Sequence, residues 1–260
     1  MQTLASRQLL RSIGIAEDMI ISIDRDTIPA YDGEPVRLLM NACFRKRSFP
    51  IPEQIQPIFL GFQTAEPVIV AYRRYFEAHQ PIGCRDIATM KLFKRHGISA
   101  FVTGCVTLTL DRSPVPDSER NDVLIVYGAG SGEFPAGALS RIPSELLERA
   151  QFVSQRMIIN QFPLDEKTME QAEKYSSYLL GKYKSARMVV TSLHHAATPS
   201  ISLGVPVVLC RKSMDLRFSF LKKIMPVYIE GEFDDINWNA GAIDVSEISK
   251  KYRDRLRSII

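Results

Sequence analysis

An alternation that begins near residue 122 is the strongest constraint on the fold. Short runs rich in β-branched residues, at 122–127, 152–156, 187–190 and 205–210, alternate with stretches of helical apolar spacing at 144–150 and 165–182. Between the last two runs lies a short helix with a start signal at Ser192 and a stop signal at Gly204. Strands alternating with helices predict a parallel sheet covered on both faces. In such sheets ligands bind outside the carboxyl ends of the strands.

The N-terminal part reads similarly. Runs at 19–23, 36–41, 57–62, 81–84 and 100–103 suit strands, and 66–78 and 87–96 suit helices. Asp86 is placed to cap the helix at 87 and Gly97 to end it. Residues 111–122 are polar, contain Pro114 and Pro116, and lack apolar periodicity, which marks a linker. The expected architecture is α/β, with halves at 1–115 and 116–260 and a ligand cleft between them. The tail at 245–260 reads as a basic helix.

Composition narrows the partners. Hydrophobic residues make up 45% and charged residues 24% of 260, as in soluble globular proteins. No apolar run reaches the roughly 18 residues of a membrane span. The first fifteen residues lack a secretory core, so a cytoplasmic protein is expected. Cys43, Cys84, Cys105 and Cys210 are scattered without metal-type spacing and read as reduced thiols. A net charge of +4 suits an anionic substrate, or peripheral contact with the inner face of an anionic membrane. Aromatics do not interleave with a basic stripe, which argues against nucleic acid. No Walker loop, zinc signature or Gly-x-Ser-x-Gly elbow is present.

Four segments can carry chemistry. His194 and His195 fall in the first turn of a helix just past a strand, where anions bind. One histidine can pack while the other is solvated, or one can act as acid or base beside a bound anion. Arg85, between a strand end and a helix start, suits a carboxylate or phosphate, or an ion pair with a neighbouring acid. Lys212 and Arg217 follow the next strand and are either surface charges or cleft-facing cations. The glycines at 128, 130 and 132 follow a strand, but their spacing departs from the dinucleotide fingerprint and suits a mobile loop. Asp24-Arg25-Asp26 reads as a strand-end turn rather than a metal-binding carboxylate pair.

Two of these segments together resemble one family. Residues 81–110 carry Gly83-Cys84-Arg85-Asp86, then Gly97-Ile98, then Gly104-Cys105-Val106-Thr107-Leu108-Thr109-Leu110. Residues 191–208 carry Thr191-Ser192-Leu193-His194-His195 through Gly204-Val205-Pro206. In order and separation these are similar to the two conserved blocks of the polysaccharide pyruvyl transferases, over roughly residues 35–240. The resemblance implies two Rossmann-like halves of GT-B type, with the acceptor on the N-terminal half and the donor on the C-terminal half. It implies phosphoenolpyruvate as donor and a sugar or lipid-linked glycan as acceptor, in exopolysaccharide or cell-envelope synthesis. Pyruvate would be attached as a ketal, with neither metal nor cofactor. The family histidine falls on His195 and the family arginine on Arg85, both as catalytic candidates. Lys212 and Arg217 are candidates for holding the donor, with Ser192, His194, Asn41 and Gln63 as further substrate-binding positions. Leu193 replaces a family arginine, and Gln63 stands where related sequences often carry histidine. Two other classes share the cleft: a sugar-nucleotide glycosyltransferase and a non-catalytic sugar-binding relative.

Overall fold

The computed structural model describes residues 1–128, 132–157 and 165–260. The chain packs as two compact units, one of residues 2–109 with 248–260, the other of 110–157 with 167–247.

In the first unit, α1 (Gln2–Ser12) precedes β1 (Val36–Leu39), β2 (Ile55–Ile58), α2 (Glu66–Ala71), α3 (Arg73–Ala78), β3 (Ile82–Cys84), α4 (Ile87–Arg95) and β4 (Ala100–Val102). The strands form two parallel pairs, β1 with β2 and β3 with β4. Single pairings of Cys43 with Gln63 and of Phe62 with Cys84 carry the parallel bonding from one pair to the next. Buried aromatic rings fill the core: Phe62 lies 5.7 Å from Phe76, and Phe76 lies 5.0 Å from Phe93. Gly83 is required by close approach, because a Cβ there would come 2.4 Å from the Phe59 carbonyl oxygen. Asp86 caps α4 by accepting a bond from the Thr89 amide at 2.8 Å, and Gly97, with φ +74°, follows the helix, as the sequence predicts.

Four expectations for this unit are corrected. Residues 19–23 form no strand. A 3-10 turn at Glu17–Met19 stands at their start, and Ile21 is exposed, because among the described residues no neighbouring strand pairs with the run. The helix expected at 66–78 breaks at Tyr72 (φ −120°, ψ 31°), whose ring stacks on Phe49 at 4.8 Å, so tertiary packing overrides local periodicity. The C-terminal helix (Ser246–Arg257) packs from residue 248 onward with this unit, not with residues 116–247. Tyr252 and Leu256, one turn apart, are buried, and the Tyr252 hydroxyl donates to the Leu60 carbonyl at 2.8 Å. The chain passes between units at residues 109 and 110 rather than at 115. Asp24–Asp26 is a turn, as expected: the Asp26 amide donates to Asp24 Oδ1 at 3.0 Å.

The second unit holds β5 (Asp122–Tyr127), α5 (Ala136–Leu139), α6 (Ser144–Leu147), β6 (Ala150–Ser154), α7 (Glu166–Ser185), β7 (Ala186–Thr191), α8 (His194–Ser202), β8 (Val207–Arg211) and β9 (Tyr228–Ile229). Among the described residues its five strands are all parallel, in the order β6-β5-β7-β8-β9, which bears out the α/β class. Val123–Val126, Val189, Val190 and Val207–Cys210 are buried, so these central strands read as unbroken apolar runs. The helix expected at 144–150 is shortened to one turn because residue 150 opens β6. Strand order reverses between β5 and β7, and a crevice for ligands forms at the carboxyl ends of such a pair.

Candidate active site

At that reversal point β7 hands over to α8. Thr191 Oγ1 donates to the Val126 carbonyl of β5 at 2.7 Å and accepts from the Leu193 amide at 3.0 Å. Ser192 is not the helix cap the sequence suggested. Its hydroxyl donates to the Gly132 carbonyl at 2.7 Å, and Leu193 takes the N-cap position with no side-chain bond. The Ser192 carbonyl accepts from the guanidinium of Arg211, at the end of β8. Bonds from β5, from β8 and from Gly132 thus fix the turn that aims the first residues of α8.

His194 and His195 are both half-buried, with rings edge-to-face at 5.0 Å. The His194 ring also meets Phe218 at 5.5 Å, and the Arg211 guanidinium lies 4.1 Å over Phe218. Pro199 sits inside α8 and has no N–H to give the carbonyl four residues earlier, that of His195. Gln155 Nε2 donates to that carbonyl instead, at 2.7 Å. Gly204, at φ +76°, follows the end of the helix, as predicted.

In the first unit, Arg85 leaves the end of β3 with its amide bonded to the Phe62 carbonyl at 2.8 Å. Its side chain is buried, the residue being 4% exposed. Its Nε has no hydrogen-bond partner, and no carboxylate pairs with it among the described residues. Gln63 follows the residue paired with Cys84, so it stands beyond the end of β2 in step with Arg85. Its backbone is bonded on both sides, to Ala42 at 3.0 Å and Phe44 at 2.8 Å, but its buried Oε1 has no partner among the described residues. Asn41 is committed elsewhere. Its Nδ2 donates to Ser6 Oγ at 2.6 Å, and its carbonyl accepts from Gln2, both on α1.

A family model described as polysaccharide pyruvyl transferase matches residues 59–211. The chain belongs to the polysaccharide pyruvyl transferase family. No curated protein and no solved structure matches it. The match runs from the end of β2 to the end of β8, and so takes in Gln63, Arg85 and the histidine helix.

Around these positions the pyruvyl transferase family member places its other cations differently from one another. Lys212 is exposed and pairs with Glu133 at 3.3 Å. Arg217 is held by Asp215, with Nε at 2.8 Å from Oδ2. Burial alone would raise the Asp215 pKa, but the hydrogen bonds and charge of Arg217 outweigh it and hold the carboxyl below its usual value. Arg211, which reads from sequence with Lys212 and Arg217 as either a surface charge or a cleft-facing cation, is a buried cation at the end of β8, and burial lowers its pKa. The signal for it was its position as the last residue of an apolar strand. All four cysteines are free thiols, and burial pushes Cys210 up to about 12, which suits packing rather than nucleophilic chemistry. Of the glycine-rich loop, Gly128 donates to the Gly132 carbonyl at 2.8 Å, and residues 129–131, where a mobile loop was expected, lie outside the described residues. Among the described residues no helix is long and apolar enough to cross a membrane.

Proposed function

We propose that the protein transfers pyruvate from phosphoenolpyruvate to two hydroxyls of a sugar, or of a lipid-linked glycan, as a ketal, and releases phosphate. The observation that carries this reading is Arg85, a buried guanidinium without a counter-charge among the described residues. An unpaired buried cation is costly, and an anionic ligand removes the cost. Phosphoenolpyruvate offers both a carboxylate and a phosphate for its planar fork. Lys212, paired with Glu133, and Arg217, paired with Asp215, are the side chains that can exchange a protein carboxylate for a donor oxygen. Ser192 and His194 would line the start of α8 beside the donor, with Gln63 on the acceptor side. Two Rossmann-like halves of GT-B type belong to the same proposal, and the strand order of the second unit favours it there.

The chemistry asks for one acid. His195, as imidazolium, gives a proton to the methylene carbon of the enol phosphate. The oxygen of one hydroxyl then bonds to the adjacent carbon, and a second hydroxyl displaces phosphate from it. Of the two hydroxyl protons released, one restores His195 and the other leaves with hydrogen phosphate. A positioned acid contributes about 10²–10⁴-fold, so His195→Ala should slow phosphate release by that factor. The assay is phosphate release from phosphoenolpyruvate in the presence of a panel of simple glycosides. Release by His195→Ala at the wild-type rate would remove His195 from the mechanism. A protein stabilised by a nucleotide sugar and not by phosphoenolpyruvate would instead be a glycosyltransferase.

A further inference from the structure

The second side-chain torsion of histidine is broad rather than confined to narrow wells, so the plane of the His195 ring is set by what packs against it. Proton transfer to the methylene carbon needs that ring aligned with it. The backbone of His195 is fixed by Gln155, whose Nε2 donates to its carbonyl at 2.7 Å. Its ring meets the His194 ring edge-to-face, with centroids 5.0 Å apart and planes at 89°. His194 in turn meets Phe218 edge-to-face, at 5.5 Å and 68°. Phe218 is 1% exposed and closes a 3-10 turn at Leu216–Phe218, in which Leu216 points outward at 72%. Asp215 caps that turn by accepting from the Arg217 amide at 2.9 Å. The Arg211 guanidinium lies 4.1 Å from the centre of the Phe218 ring. Arg211 is itself pinned, because it donates to the Ser192 carbonyl and its Nε donates to the Ser213 carbonyl at 3.3 Å.

We propose, on the reading that His195 is the proton donor, that Phe218 is a positioning residue for it: gripped by Arg211, Phe218 sets the plane of His194, and His194 sets the plane of His195. A row of three rings thus runs from a cation fixed at the end of β8 to the side chain that gives the proton. Aromatic pairs prefer particular angles and hold more strongly than their buried area alone explains. A guanidinium over the ring face adds to that hold. The same turn carries Arg217, one of the cations offered to the donor. The two neighbours serve different steps, since Arg217 binds and Phe218 aims the acid. Loss of the Phe218 ring therefore acts on the rate of proton transfer, whereas a loosened turn acts on donor binding. That difference separates a positioning role from a merely structural one.

Phe218→Leu keeps a buried apolar side chain and removes the ring. Phosphate release from phosphoenolpyruvate with a glycoside acceptor should show kcat lowered about 2- to 12-fold, the worth of one aromatic pair, with the KM for phosphoenolpyruvate unchanged. Para-fluorophenylalanine in place of Phe218 keeps the ring and should hold kcat within about twofold of wild type. Nuclear magnetic resonance of isotope-labelled histidine needs neither substrate nor turnover. Of the four histidines, His194 and His195 should both change chemical shift in Phe218→Leu, while His79 and His96, in the other unit, should not. In the wild-type chain, nuclear Overhauser contacts should run from Phe218 to His194 and from His194 to His195. A raised KM with kcat unchanged, a His195 signal indifferent to Phe218→Leu, or equal losses with leucine and with para-fluorophenylalanine would overturn the assignment of Phe218. A wild-type chain that releases no phosphate would overturn pyruvyl transfer itself, and the histidine signals would then decide the ring row alone.

Discussion

Replacing Arg85 with methionine separates a structural arginine from a ligand-binding one, because the two roles predict opposite signs. A structural buried arginine would lose its partners on substitution and the fold would weaken. Arg85 has no carboxylate partner among the described residues, and its Nε has no hydrogen-bond partner. Methionine keeps much of the apolar stem and removes a charge held in a site 4% exposed. Relief of part of the desolvation cost should stabilise the ligand-free protein by about 1–2 kcal/mol, a rise in Tm of about 2–8 °C for a chain of this size. The donor should respond the other way. Loss of one partner of a buried charge pair costs about 2–5 kcal/mol, so affinity for phosphoenolpyruvate should fall about 30- to 5,000-fold. At a concentration of phosphoenolpyruvate about 100 times its Kd, the wild-type protein gains about 2.7 kcal/mol, while the variant gains less than about 0.9 kcal/mol. Differential scanning fluorimetry with and without phosphoenolpyruvate reads both effects. A variant that is less stable when empty, yet shifted by phosphoenolpyruvate as much as wild type, would refute the assignment of Arg85 as the anion site.

Three further outcomes follow from the geometry. Gly83→Ala drives a Cβ to 2.4 Å from the Phe59 carbonyl and should cost about 1–3 kcal/mol in chemical denaturation; an unchanged midpoint would contradict the close approach. Gln155→Ala leaves the His195 carbonyl without the donor that stands in for Pro199, and should cost about 1 kcal/mol with faster hydrogen exchange in the first turn of α8. Burial opposes ionisation of Asp26, but Arg25 and Arg47 outweigh it and hold its pKa below 3.8. That carboxylate therefore stabilises the fold above pH 3.8, and its contribution is lost as pH falls through the lowered value. Asp26→Asn should flatten the acid limb of stability against pH, and a limb of unchanged steepness would exclude this pair as a source of it.

The second unit was legible because its central strands are buried on both faces, which leaves unbroken apolar runs such as Val123-Leu124-Ile125-Val126. Its helix stop was legible as well, since Gly204 adopts a positive φ that favours glycine. The first unit was harder, because its strands are three or four residues long and its order depends on ring packing between distant segments. The run at residues 19–23 has strand composition but meets no strand among the described residues, and composition alone carries no information about a partner. The break at Tyr72 depends on Phe49, which lies far away in sequence. Among the candidate residues, the histidine pair and Arg85 stood out through their position after strand ends, and the family resemblance alone chose His195 over His194. Arg211 did not stand out, because one charged residue at the end of an apolar strand reads the same whether its side chain turns outward or inward. Its stack on Phe218 and its bond to Ser192 are long-range facts.

The donor is the central claim, and isothermal titration calorimetry of the wild-type protein tests it most directly. Phosphoenolpyruvate should bind with measurable heat, the Arg85→Met variant should lose most of that affinity, and uridine diphosphate sugars should give no binding isotherm. Binding of a uridine diphosphate sugar with no heat from phosphoenolpyruvate would contradict the account.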